Sequence, residues 1–86
     1  MLEKVKLSMG ITSDAFDSDI TDMINACKAD LKLAGVMKTW SNDPLVLQAV
    51  KFYCKAHFRG DDKSERFLKA YYNLKCAMSL AGEYNG

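Results

Sequence analysis

The segment DPLVLQAVKFYCKAHF, residues 43–58, has the pattern from which the rest of the architecture can be worked out. Asp43 followed by Pro44 is typical of a helix start, because the carboxylate accepts hydrogen bonds from free backbone amides and proline fits the first turn. The apolar side chains that follow cover more than one face, so this helix must be packed on several sides. We expect it to be the central helix of the protein and to end at Gly60.

Two helices are expected before this segment. Residues Leu2–Met9 combine apolar and charged side chains at helical spacing, which predicts a short amphipathic helix that stops at Gly10. Apolar residues then recur at steps of three and four from Phe16 to Ala34, which predicts a long helix that ends at Gly35.

The long helix begins with acidic residues and ends with lysines, which is the charge order that the helix dipole favours. Thr12 and Ser13 are the candidates for its N-cap. Asp14 and Asp17 belong to its acidic start and are candidates for contacts with another molecule.

A fourth helix is expected after the central one. Residues 62–65, DKSE, have the arrangement of a capping box, and an apolar stripe follows as far as Gly82. The last residues, GEYNG, are expected to be frayed. With no strand-like alternation and no repeat, the chain is predicted to be all-α: a small bundle of three main helices plus a short N-terminal helix, forming a single domain over residues 1–86.

The overall charge excludes a long-range attraction to DNA or to an anionic membrane. The 86 residues contain 12 basic and 11 acidic side chains, which leaves a net charge of +1. No apolar run approaches the roughly 20 residues that span a bilayer, and the start of the chain does not resemble a signal peptide. We therefore expect a cytosolic protein without a membrane partner.

The cysteines do not predict a disulfide framework or a metal site. Cys27, Cys54 and Cys76 are odd in number, widely spaced and without a CxxC pair, which is typical of reduced, buried and inert thiols. Together with His57 they equal the composition of a Cys3His zinc set, but zinc sites usually draw their ligands in close pairs. We expect no metal and no cofactor.

Nothing in the sequence favours an enzyme. The chain has one histidine, no glycine-rich phosphate loop and little room for a deep pocket. The run Gly60-Asp61-Asp62 echoes a polymerase metal motif, but a helix end followed by a helix start explains it.

A row of basic residues is the most informative surface feature. Lys51, Lys55 and Arg59 recur every four residues and therefore share one side of the central helix. Three interpretations stay open: a solvated face, a contact with phosphates, or a contact with the acidic start of the second helix, Asp14 and Asp17, in a neighbouring copy. Contacts of the last kind can close into a ring.

Two aromatic features point to partner contacts or to the core. Trp40 lies in the loop before the central helix, where it either covers the core or anchors an interface. Tyr71 and Tyr72 point in directions about 100° apart on the fourth helix, so only one of them can be fully buried.

Four blocks follow one another in the chain: LEKVKLSMGIT, SDAFDSDITDMINACKADLKLAGV, DPLVLQAVKFYCKAHF and RGDDKSERFLKAYYNLKCAMSLAGEY. In this order they resemble the tailed-phage head-tail connector family, whose members are often described as DNA-packaging proteins. LEKVKLSMGIT is similar to the short "LEEVK"-like first helix of that family, and the acidic run into a long helix ending in Ala-Gly follows. DPLVLQAVKFYCKAHF resembles its "DPLIK.AI..YCKA.F" helix, and ERFLKAYYNLKCAMSL its "E.F...Y..LK..L" helix. The resemblance covers residues 2–84.

The resemblance implies a structural role. Such a subunit would form a ring with copies of itself under the portal protein, extend the DNA channel, bind a tail or stopper protein, and make non-specific contacts with DNA in the channel. Its location would be the host bacterial cytoplasm during assembly and then the head-tail junction of the virion. A small helical DNA-binding regulator is the alternative, because the central helix resembles a recognition helix in its basic side.

Overall fold

The computed structural model describes residues 1–39, 43–58 and 62–84, which form four α-helices and one short 3₁₀ turn. Helix α1 spans Leu2–Met9, α2 spans Asp17–Leu33, α3 spans Pro44–Phe58 and α4 spans Ser64–Leu80; the 3₁₀ turn is Gly82–Tyr84. These ranges contain no strand. The prediction of an all-α bundle with three main helices and a short first helix is confirmed.

Helix α3 is the centre of the bundle, because it packs against α1, α2 and α4. Val46, Ala49, Val50 and Cys54 of α3 are fully buried. The prediction that this helix is packed on several sides is therefore confirmed. Among its large apolar side chains only Leu45 is clearly exposed, at 43%, so the apolar surplus of α3 is used inside the bundle rather than on its surface.

The two helix boundaries with the clearest local signals lie where the sequence predicts them. Asp43 caps α3, since its Oδ1 accepts hydrogen bonds from the backbone amides of Leu45 at 2.9 Å and Val46 at 3.1 Å. Gly10 ends α1 in the left-handed conformation with φ of 71°, which glycine adopts without the steric penalty of a side chain.

Two predicted caps are wrong. Helix α2 begins at Asp17 rather than after Thr12 or Ser13, and the hydroxyl of Ser13 instead accepts a hydrogen bond at 3.0 Å from the amide of Ala15 in the preceding turn. Helix α4 begins at Ser64, so the N-cap position falls on a lysine without a side-chain cap bond, and the predicted capping box does not form. Short polar side chains satisfy local turns as readily as helix ends, which is why spacing alone misassigned Ser13.

The expectation of a frayed tail is wrong for Gly82–Tyr84. These residues form the 3₁₀ turn, and Tyr84 is only 7% exposed. Its phenol hydroxyl lies 3.0 Å and 3.1 Å from the two carboxylate oxygens of Asp43. A long-range contact therefore orders a segment that has no helical pattern of its own.

Candidate functional site

Two of the three predicted basic residues lie together on one side of α3. Lys51 and Lys55 are one helical turn apart and half-buried, and neither makes an ion pair with any residue in the described ranges. The Nζ atom of Lys55 lies 5.3 Å from the centre of the Phe67 ring on α4, a geometry typical of a cation-π contact. Arg59 lies outside the described residues. We call Lys51 and Lys55 the basic ridge.

The acidic start of α2 divides into a paired and an unpaired part. Asp17 makes an ion pair of 2.7 Å with Lys6 of α1, whose residue exposure is only 6%. The hydrogen bond to Asp17 raises the pKa of Lys6, so this lysine stays charged. Asp17 therefore links α2 to α1, and its charge is neutralised by Lys6 within the same chain.

The acidic charge that is open to another molecule lies on both sides of Asp17 in the sequence. Asp14, Asp19 and Asp22 are exposed and have no ion-pair partner in the part of the chain that the structure describes. We call these three residues the acidic patch. The sequence pattern makes both Asp14 and Asp17 candidates for contacts with another molecule. In the structure Lys6 already pairs with Asp17, whereas Asp14 stays exposed.

The acidic patch and the end of the basic ridge lie toward the same end of the bundle. Phe16, just before α2, contacts Phe58 at the end of α3, with ring centres 5.5 Å apart and nearly perpendicular planes. Within one copy, no described ion pair joins the patch to the ridge. Their opposite charges are therefore available for contacts between molecules.

A polar network of another kind links α2 to α4. Asp30 accepts a hydrogen bond of 2.5 Å from the hydroxyl of Tyr71 and one of 2.9 Å from Lys75. Burial opposes the ionisation of Asp30, but these two hydrogen bonds outweigh it and hold the pKa of the carboxyl below its ordinary value. The side chain of Asp30 is 36% exposed, so the network joins the two helices at the edge of the core.

The two neighbouring tyrosines of α4 differ as the sequence predicts. Tyr71 is 1% exposed and belongs to the core, whereas Tyr72 is 51% exposed. The Nζ atom of Lys75 lies 5.2 Å from the ring centre of Tyr71 and 4.7 Å from that of Tyr72. The Asp30 network therefore extends to the surface through an ammonium group placed near both rings.

The cysteines do not form one site. Cys27 and Cys54 are buried, and burial raises the pKa of each thiol to about 12, which keeps both protonated and weakly nucleophilic at neutral pH. Cys76 is exposed, so the expectation that all three are buried is wrong for this residue. The described residues contain no group of three or more His, Cys, Asp or Glu side chains that could hold a metal ion.

Large apolar side chains are exposed mainly outside α3. Three of them are close in the chain to the residues joined by Tyr84: Leu33 is 88% exposed, Met37 53% and Leu80 80%. Trp40, predicted to cover the core or anchor an interface, lies outside the described residues. None of the helices in the described ranges is long and apolar enough to cross a bilayer.

Comparison with known proteins gives one match. A family model described as "Phage connector protein" matches residues 1–85. Neither a curated protein nor a solved structure matches the chain.

Proposed function

The chain belongs to the phage connector protein family, and from this premise we propose that it is a structural subunit of the head-tail junction of a tailed phage or prophage. In the proposed role, copies of the chain form a ring under the portal protein, extend the DNA channel and bind a tail or stopper protein. The protein acts by assembly and not as an enzyme. It is made in the cytoplasm of the host bacterium and ends in the virion.

The observation that carries this proposal is the family match over residues 1–85. The charges of the described surface support the ring. The acidic patch and the basic ridge are unpaired in one copy, so a head-to-tail contact between copies would match them. The basic ridge has a second use in the same proposal, because lysines that line the channel would make non-specific contacts with DNA phosphates.

Light scattering after size exclusion tests whether the chain forms a ring by itself. We expect a ring-sized species at low salt that dissociates at high salt, because exposed ion pairs are screened by salt. A monomer at every concentration and salt level would contradict self-assembly and restrict the proposal to a ring that forms on the portal. A stable dimer would favour the alternative, a DNA-binding regulator.

A charge reversal distinguishes the two uses of the basic ridge. If the ridge lies between copies, Lys51→Glu with Lys55→Glu should abolish the ring at low salt, because it places like charges opposite the acidic patch. If the ridge lines the channel, the ring should persist and its contact with DNA should weaken. Lys4→Glu with Lys69→Glu is the matched control, because these exposed lysines also lack a described ion pair.

The regulator alternative receives less support from the geometry. A recognition helix needs an open face that enters the major groove. Helix α3 packs against three other helices, which leaves mainly the side of the basic ridge for such a contact. Binding to duplex DNA with a preference for one sequence would favour the regulator over the connector.

A further inference from the structure

The C-terminal 3₁₀ turn contacts both described ends of the connection between α2 and α3. The carbonyl oxygen of Tyr84 accepts hydrogen bonds from the backbone amides of Met37 at 2.7 Å and Lys38 at 3.3 Å, just after α2. Its hydroxyl lies 3.0 Å and 3.1 Å from the carboxylate oxygens of Asp43, just before α3. One residue therefore holds the start and the end of the connection.

Asp43 has two functions in this arrangement. Its Oδ1 atom caps α3 by accepting from the amides of Leu45 and Val46, and the same carboxylate is the acceptor for the Tyr84 hydroxyl. The docked tail consequently contacts the residue that fixes the start of the central helix. Release of Tyr84 removes the hydroxyl that contacts both oxygens of this carboxylate, and so weakens the cap on the amides of Leu45 and Val46.

The tail is attached to the rest of the molecule mainly through one residue, Tyr84, which packs against the hydrophobic core. Ala81 leaves the helical conformation with ψ of 117°, and Gly82 has no heavy atom within 4 Å of the position that a Cβ would take. Gly82 and Glu83 are exposed, and Tyr84 is the buried residue of the turn. A segment held through one residue opens at a lower free energy than the core, in which each helix is held by many buried side chains.

We propose that Gly82–Tyr84 is a releasable strap. When docked, it orders Met37 and Lys38 and supports the cap of α3. When released by rotation at Ala81 and Gly82, it frees these segments while the bundle of α1–α4 stays folded. The strap therefore gives one end of the molecule, next to the exposed Leu33, Met37 and Leu80, two conformational states. This proposal does not depend on the assembly role.

Hydrogen exchange of the wild-type chain is the first test. The amides of Met37, Lys38, Leu45 and Val46 should exchange together, and faster than amides of the bundle core such as those of Ile24, Cys27 and Val50. If these four amides exchange as slowly as the core amides, the proposal is wrong, because the strap then opens only when the whole protein unfolds.

Substitutions at Tyr84 are the second test. Tyr84→Phe keeps the buried ring and removes one hydrogen bond, so exchange of the four amides should accelerate about fivefold. Tyr84→Ala also removes the ring and should accelerate it by roughly tenfold or more, with the core amides unchanged. Tyr72→Phe, on the exposed tyrosine of α4, is the matched control and should change neither group.

Two results would contradict the strap. If neither variant alters exchange at the four amides, Tyr84 does not hold the connection. If Tyr84→Phe accelerates exchange at the core amides as much as at the four, the turn belongs to the cooperative core. Tyr84→Phe preserves packing, so the test remains decisive even where Tyr84→Ala fails to fold.

Discussion

Two tyrosine-aspartate hydrogen bonds join distant parts of this chain, and they differ in what carries the tyrosine. Tyr71 bonds to Asp30 from the middle of α4, and Tyr84 bonds to Asp43 from a single 3₁₀ turn. Tyr71 also packs edge-on against Tyr53, with ring centres 5.2 Å apart. The same kind of bond therefore joins two helices in one region and holds a three-residue turn in the other. Its contribution to stability depends on the element that carries the tyrosine.

The largest loss of stability is expected at Tyr71. Tyr71→Ala removes a fully buried ring between α2, α3 and α4, and we expect the free energy of unfolding to fall by about 3–5 kcal/mol. Urea denaturation followed by circular dichroism measures this loss. Tyr72→Ala, at the exposed neighbouring position, should change it by less than about 1 kcal/mol. Equal losses at both positions would contradict the assignment of Tyr71 to the core.

Substitution of Asp43 should have an intermediate effect on the free energy of unfolding. Asp43→Ala removes the cap of α3 together with the acceptor for Tyr84, so we expect a loss of about 1–2 kcal/mol in urea denaturation. Ser13→Ala is the control, because Ser13 does not cap α2 despite its favourable residue type, and it should cost no more than about 0.5 kcal/mol. A cost at Ser13 as large as that at Asp43 would argue against the observed start of α2.

The smallest expected effect is on the pH dependence of folding stability. The folded-state pKa of Asp30 lies below its ordinary value of 3.8, so ionisation of Asp30 stabilises the fold above about that pH. This contribution is lost as the pH falls through the lower pKa of the folded state. In the Asp30→Asn variant the amide oxygen still accepts the hydrogen bond from Tyr71, but the side chain does not titrate. The free energy of unfolding of this variant should therefore fall less between pH 5 and pH 2 than that of the wild-type protein. Identical pH profiles for both proteins would contradict the network.

The order and type of the four helices could be read from the sequence, because both depend on neighbours three and four residues apart. The apolar spacing of residues 16–34 and the dense apolar pattern of α3 predict elements that the structure contains. Asp43 and Pro44 predict the start of α3 because a cap is formed within a few residues. The spacing of Lys51 and Lys55 likewise places them on one side of a helix.

Contacts between residues far apart in the chain were decided by the tertiary structure alone. Local spacing marks Asp17 as a free acidic residue, and only the packing of α1 against α2 brings Lys6 to it. The tail has no periodic pattern and was expected to fray, yet Tyr84 reaches Asp43, 41 residues earlier in the chain. Cys76 falls near an apolar stripe but faces outward because α3 covers the other side of α4.

By itself, the sequence determined that this chain is a small helical bundle with a central third helix, because helix formation and capping are governed by near neighbours. The tertiary structure decided which charges remain for a partner and whether the tail is ordered. Both outcomes depend on which side chains meet when the helices pack, and the spacing of residues along the chain does not specify those long-range pairs.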